Sequence, residues 1–226
     1  MTNPLFFRSS LQASVALLAV GLAACVSGPK QPDWQLEAKG SMDRAVAAYL
    51  EGNARVEAAE FARARLEISS TGRVDLMAKA ELLRCASHVA SLSFEPCAGF
   101  EKLRLDAAPA ERAYADYLTG RMPAQDAALL PEAQRAAATG GEVAIKSIAD
   151  PLSRLVASAV ALQAGRASPV LVQTAVDAAS SQGWRRPLLA WLGVQASLAD
   201  KAGAVEEAAR LRRRIALVQN DVKAAH

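Results

Sequence analysis

The chain has 226 residues, enough for one ordinary domain or a short array of repeats. Its 26 basic and 23 acidic residues leave a net charge of only +3, which speaks against nucleic acid as a partner, because such domains carry a strongly basic face. Aromatic residues make up 5% of the chain, and abundant alanine among Leu, Glu, Arg, Gln and Lys favours helix throughout, so an all-α fold is expected.

The first element is a leader. Arg8 is the only charged side chain before Cys25, and Leu11 to Ala24 contains none. That apolar run is shorter than the roughly 20 residues of a permanent membrane helix. It ends in Leu22-Ala23-Ala24-Cys25, which resembles the lipobox of bacterial lipoproteins, where signal peptidase II cuts before the cysteine and diacylglycerol is attached to the sulfur. The resemblance makes residues 1–24 a signal peptide and Cys25 the lipidation site. Cleavage would leave 202 residues with a net charge of +2, since Arg8 alone is lost. It also implies a lipid-anchored protein of the bacterial cell envelope. Val26, standing where the sorting rule of enteric bacteria reads aspartate as a retention signal, points to the periplasmic face of the outer membrane.

Residues 25–40 read as the lipidated cysteine and a flexible tether, because Gly28-Pro29, Gln31-Pro32 and Lys39-Gly40 interrupt any helical pattern. Residues 41–226 read as the helical domain. Ser41 is the expected cap of a helix ending at Gly52-Asn53, and Ala54 to Ile68 follows with Val56, Ala59, Phe61, Ala64 and Ile68 near helical spacing. Ser69 to Gly72 is a turn. Val74 to Leu92 is the longest unbroken segment, and Glu95-Pro96-Cys97 starts a shorter helix. Pro109 opens the next, closed by Gly120 and Pro123, and a weaker middle region around Pro131 and Gly140-Gly141 reads as a pair of short helices. Pro151 to Gly165, Pro169 to Gly183, Pro187 to Gly203 and Ala204 to Val222 complete the series. Proline in the first turn and glycine past the end is the expected punctuation.

With Cys25 acylated, Cys85 and Cys97 are left as an even pair in a compartment that permits disulfides. Closing their loop of about 13 residues stabilises the fold by roughly 3 kcal/mol in the chain-entropy model. The alternative is two buried thiols acting as small hydrophobes.

A degenerate repeat runs through the helices. Ala48 to Gly52 and Asp116 to Gly120 match at a separation of 68 residues, twice 34, and Ala161 to Gly165 and the stretch ending at Gly203 continue the pattern. Seven residues before each glycine stands a small residue: Ala45, Ala113, Ser158 and Ala196. A period of this size, with a small residue, an aromatic or leucine and a turn glycine, resembles the tetratricopeptide repeat family. Arg44, Arg112 and Gln195 stand where that family places an apolar residue, and the spacing widens to 45 between Gly120 and Gly165. The resemblance implies a right-handed array of helical hairpins; an irregular helical bundle is the alternative.

No catalytic or metal-binding signature emerges, so the chain reads as a non-enzyme without cofactor or metal. Only two histidines occur. His88 follows Cys85 by three residues and shares its helix face, but no second pair completes a zinc site. No glutamate precedes a serine, as the helical lytic transglycosylases require, and no HExxH, GxSxG or phosphate loop is present. Trp184 with Arg185 and Arg186, and the cluster Arg210, Arg213 and Arg214, are the candidate partner-contact residues, Trp and Arg being enriched at interface hot spots. Trp191 reads as core. The address and the helical layout suggest a scaffold for another envelope protein, of the kind that assembles outer-membrane proteins or pili; a peptidoglycan-binding or peptidoglycan-acting protein is the alternative.

Overall fold

The computed structural model describes residues 31–224, with side chains up to Gln219. The expected signal peptide, Cys25 and the first part of the tether lie outside the described residues. Ten α-helices and one short 3-10 segment follow one another among those described, with no strand, so the fold is all-α.

Helix α1 spans Asp33–Glu51 and starts well before Ser41. The last residues of the expected tether, 33–40, are its first two turns. Ala38 and Ser41 are both buried, and Lys39 Nζ pairs with Asp43 one turn on, at 2.6 Å. A glycine inside a helix costs only about 1 kcal/mol, which that burial outweighs at Gly40. Helix α2 (Ala54–Ser69) is capped by the Asn53 side chain, which accepts from the Val56 N–H. Helix α3 covers Val74–Ala90, and α4 is a single turn, Ala98–Glu101, with Cys97 as its N-cap.

Prolines open α5 (Pro109–Leu118), α7 (Pro151–Gln163) and α8 (Pro169–Ser181), as expected. Between them lie the 3-10 segment Ala124–Leu129 and α6, Glu132–Ser147. Gly141 breaks α6 with φ 64° and ψ −150°, a backbone state reserved for glycine. The expected pair of short helices is therefore present, as two helical stretches that meet at Gly141. Helix α9 is Arg185–Lys201 and begins before Pro187, which lies inside its first turn; α10 is Val205–Ala224.

Helices adjacent in sequence form the three most extensive pairs, α1 with α2, α9 with α10 and α8 with α9, and α3 with α7 comes next, ahead of α7 with α8. The four repeat glycines, Gly52, Gly120, Gly165 and Gly203, all have positive φ, between 69° and 96°. Ala45, Ala113, Ser158 and Ala196 are all buried, so the recurring small residue marks where one helix approaches another closely.

One large core runs from Ala78 to Leu211 and contains Phe100, Leu118, Leu130, Leu155, Trp191 and Leu192. Met42, Phe61, Ile68 and Met77 form a smaller core shared by α1, α2 and α3, and Ile145, Ile148, Ala161 and Leu171 form another around α6 to α8. Helix α3 is central, meeting α1, α2, α4, α5 and α7. Hydrogen bonds of long sequence separation close the arrangement. Trp191 Nε1–H donates to the Ala90 carbonyl at the end of α3, at 3.0 Å. Arg186 Nε donates to the Tyr49 carbonyl at 2.7 Å, tying α9 to the end of α1. Inside, the Tyr117 hydroxyl donates to buried Gln134, whose amide donates to the Ser153 carbonyl, so one polar relay joins α5, α6 and α7.

Candidate functional site

Two grooves flank α3. The first, of about 430 Å³, is polar; Glu81, Arg84 and His88 of α3 face Ser93 and Glu95 across it, beside Cys85 and Cys97. The two cysteines stand at disulfide distance, with Cα atoms 5.6 Å apart, and the bridge joins α3 to the cap of α4. Both are buried.

Charges in this groove are answered across helices. Arg84 Nε donates to the buried carboxylate of Glu57 at 2.6 Å, and its guanidinium lies over the Phe61 ring, 4.9 Å from the centroid. Glu81, also buried, forms an ion pair with Arg65 of α2. Its carboxylate lies against Gly99 in the space a β-carbon would occupy. The absent side chain lets α4 approach α3.

His88 is half-buried, with its ring stacked on Tyr49 at 4.0 Å between centroids. The Arg186 guanidinium lies over the same phenol ring, 4.3 Å from its centroid. Burial pushes the imidazole down to about 4, and the positive charge of Arg84 adds to the effect, so His88 is neutral at neutral pH. Its Nε2 is buried without a hydrogen-bond partner. Once bridged to Cys97, which stands at disulfide distance, Cys85 would have no thiol to offer a base one turn away. Among the described residues no group of three or more His, Cys, Asp or Glu could hold a metal ion.

The second groove, of about 440 Å³, lies between α3, α5 and the segment before α6. Leu82, Leu83, Tyr114, Leu129 and Leu130 give it an apolar lining, and Leu83 and Leu129 remain 37% and 42% exposed. Lys79 and Glu111 also line it. Their ion pair is loose, Nζ to Oε1 at 3.7 Å, too long for a hydrogen bond. Glu111 is only 11% exposed, yet its Oε2 is buried without a partner. The groove is thus apolar with one unanswered carboxylate oxygen.

The sequence candidates lie elsewhere. Trp184 caps α9 and is half-buried against the main core. Arg185 and Arg186 are turned inward, donating to the carbonyls of Glu51 and Tyr49 at the end of α1. Their hydrogen bonds make them ties between helices. Arg210 pairs with Glu207 at 2.6 Å, one turn earlier on α10. Arg212 holds Asp200 of α9 at 2.7 Å, while Arg213 is exposed and Arg214 half-buried. Trp191 is fully buried, as its apolar neighbours indicated. Lys79, Glu111 and Leu129 were not singled out in the sequence, where the only signal was an apolar pair, Leu129-Leu130, standing before Pro131 in an otherwise weak region. No helix among the described residues is long and apolar enough to cross a membrane. Compared with protein-family models, curated proteins and solved structures, the chain gives no match.

Proposed function

We propose that this chain is a bacterial envelope lipoprotein, acylated at Cys25 and held at the periplasmic face of the outer membrane, whose helical hairpins act as a scaffold for another envelope protein. The observation that carries this reading is the Cys85–Cys97 pair, buried and at disulfide distance. Such a bridge belongs to an oxidising compartment, which is where the Leu22-Ala23-Ala24-Cys25 stretch would send the chain. The partly exposed apolar groove beside α3 supports a role in protein contact, since exposed apolar surface rimmed by polar residues is a mark of protein-interaction sites. The repeated turn glycines and buried small residues support kinship in layout with tetratricopeptide-like arrays, which serve the same purpose.

Two measurements on cells test the reading. A clickable fatty acid should label the wild-type chain and not Cys25→Ser; equal labelling of the two removes the lipid anchor. A photo-crosslinking amino acid at Leu129 should trap one discrete envelope protein, and its absence above background removes the scaffold role. The polar groove, with Arg84, Ser93 and Glu95 around it, favours a second reading as a peptidoglycan-binding protein. Co-sedimentation of the purified chain with sacculi would favour that one.

A further inference from the structure

The groove between α3 and α5 offers a partner apolar area and one accessible charge, which is positive. Leu83 and Leu129 are each more than a third exposed, so apolar surface stands in water beside the buried Leu82 and Leu130. Lys79 lines the same groove with its side chain 61% exposed. An ammonium has three N–H donors. The one ion pair of Lys79 among the described residues, to Glu111 Oε1, is 3.7 Å long and beyond hydrogen-bond reach. Glu111 is turned inward, with 11% of its side chain exposed and Oε2 closed off from solvent. Its charge holds the ammonium at the groove without using up the N–H groups. A partner therefore meets leucines and a cation with donors to spare.

We propose that this groove takes a segment of a partner protein in which an aspartate or glutamate stands next to apolar residues. The proposal rests on the scaffold reading and adds the chemistry of what the scaffold holds. The apolar residues would cover Leu83 and Leu129, and the carboxylate would accept a charge-assisted hydrogen bond from the Lys79 ammonium. A basic segment would bring like charge to Lys79 and forgo that bond, so the groove selects by sign as well as by apolar fit. A small lipid is the poorer occupant. Ligand pockets enclose most of what they bind, whereas this groove leaves its own leucines open to water. That suits a partner bringing surface of its own.

The test uses the full chain in detergent micelles, with empty micelles as the blank, and four short, amidated, fluorescein-labelled peptides. Three carry Leu-Leu-Glu, Leu-Leu-Gln or Leu-Leu-Arg between glycines and serines, and the fourth carries Ser-Ser-Glu in the same frame. The Leu-Leu-Glu peptide is expected to bind about threefold tighter than its glutamine counterpart, the scale of a partly exposed ion pair. The arginine peptide should be weaker than both, and Ser-Ser-Glu about tenfold weaker than Leu-Leu-Glu. Lys79→Gln should bring the glutamate and glutamine peptides together, while Lys79→Arg should keep them apart. Leu129→Ser should weaken both alike. Circular dichroism on each variant establishes that the helices are retained, and the ranking on the wild-type chain needs no variant. The proposal is overturned if the glutamate peptide has no advantage over the glutamine one, or if its advantage survives Lys79→Gln. It is also overturned if crosslinking from Leu129 in cells traps a phospholipid or a second copy of this chain, which would make the groove a lipid site or a self-interface. A discrete protein partner trapped in cells, with no charge preference in the peptides, would refute the pairing of Lys79 with a partner carboxylate and leave the scaffold reading standing.

Discussion

Trp191 provides the sharpest test of how the helices are joined. It is fully buried, and its indole N–H donates to the Ala90 carbonyl at 3.0 Å across 101 residues of sequence. Ala90 ends α3, and the last carbonyls of a helix have no intrahelical donor. Trp191→Phe keeps a ring in the space and removes the donor. Leaving that acceptor dry costs about 1–3 kcal/mol, and the smaller ring adds about 1 kcal/mol of cavity. The loss should therefore be about 2–4 kcal/mol, and Trp191→Ala should exceed it. For a chain of this size each kcal/mol lowers the melting temperature by about 2–4 °C. Urea unfolding followed by far-ultraviolet circular dichroism measures the difference, with Trp184→Phe as the control, because Trp184 is only half-buried. If Trp191→Phe costs less than about 0.5 kcal/mol, or no more than the control, the hydrogen bond does not secure α9 to α3, and the reasoning fails.

Protein isolated from an oxidising compartment should contain no free thiol at Cys85 or Cys97, and reducing it should lower stability by about 2–4 kcal/mol while helix content persists. Two thiols that react with a disulfide reagent in the native, unreduced protein would return both cysteines to the role of core hydrophobes. For His88, the folded imidazole titrates at about 4, below its ordinary 6.5, so the unfolded chain binds a proton first as the pH falls. Its contribution to stability is fully present above pH 6.5 and is lost as pH falls toward 4, and His88→Gln should flatten that part of the stability profile. A midpoint near 6.5 for the His88 ring protons in a nuclear magnetic resonance titration would contradict the burial argument.

Much of the local structure was legible because proline and glycine act through the backbone alone. Pro109, Pro151 and Pro169 open the helices they were expected to open, and the four repeat glycines turn where the pattern placed them. Local signals failed where tertiary burial opposed them. Lys39-Gly40 reads as a breaker, yet α1 runs through it because Ala38 and Ser41 are held against neighbouring helices. Helical periodicity also says which face is apolar without saying which helix will cover it. Nothing local links Trp191 to Ala90 or Arg186 to Tyr49. The groove beside α3 was hidden for the same reason. Lys79 and Glu111 look like ordinary solvated charges until α3 and α5 are brought together.

The clasp made by Arg185 and Arg186 has a consequence for how the molecule opens. It bridges 134 and 137 residues of chain, so the entropy of closing that loop is lost before the contact returns anything. Contacts of this range raise the contact order and belong to the slow end of folding. The α1–α2 hairpin is held together by local contacts, and its small core around Phe61 and Ile68, separate from the large one, is completed by Met77 and Ala80 of α3. Because it stands outside the large core, the hairpin is expected to open ahead of the body, uncovering Met77 and Ala80 of α3 as it does. Breaking the clasp would leave a folded remainder, and the amide protons of α1 would exchange with solvent ahead of those in α3.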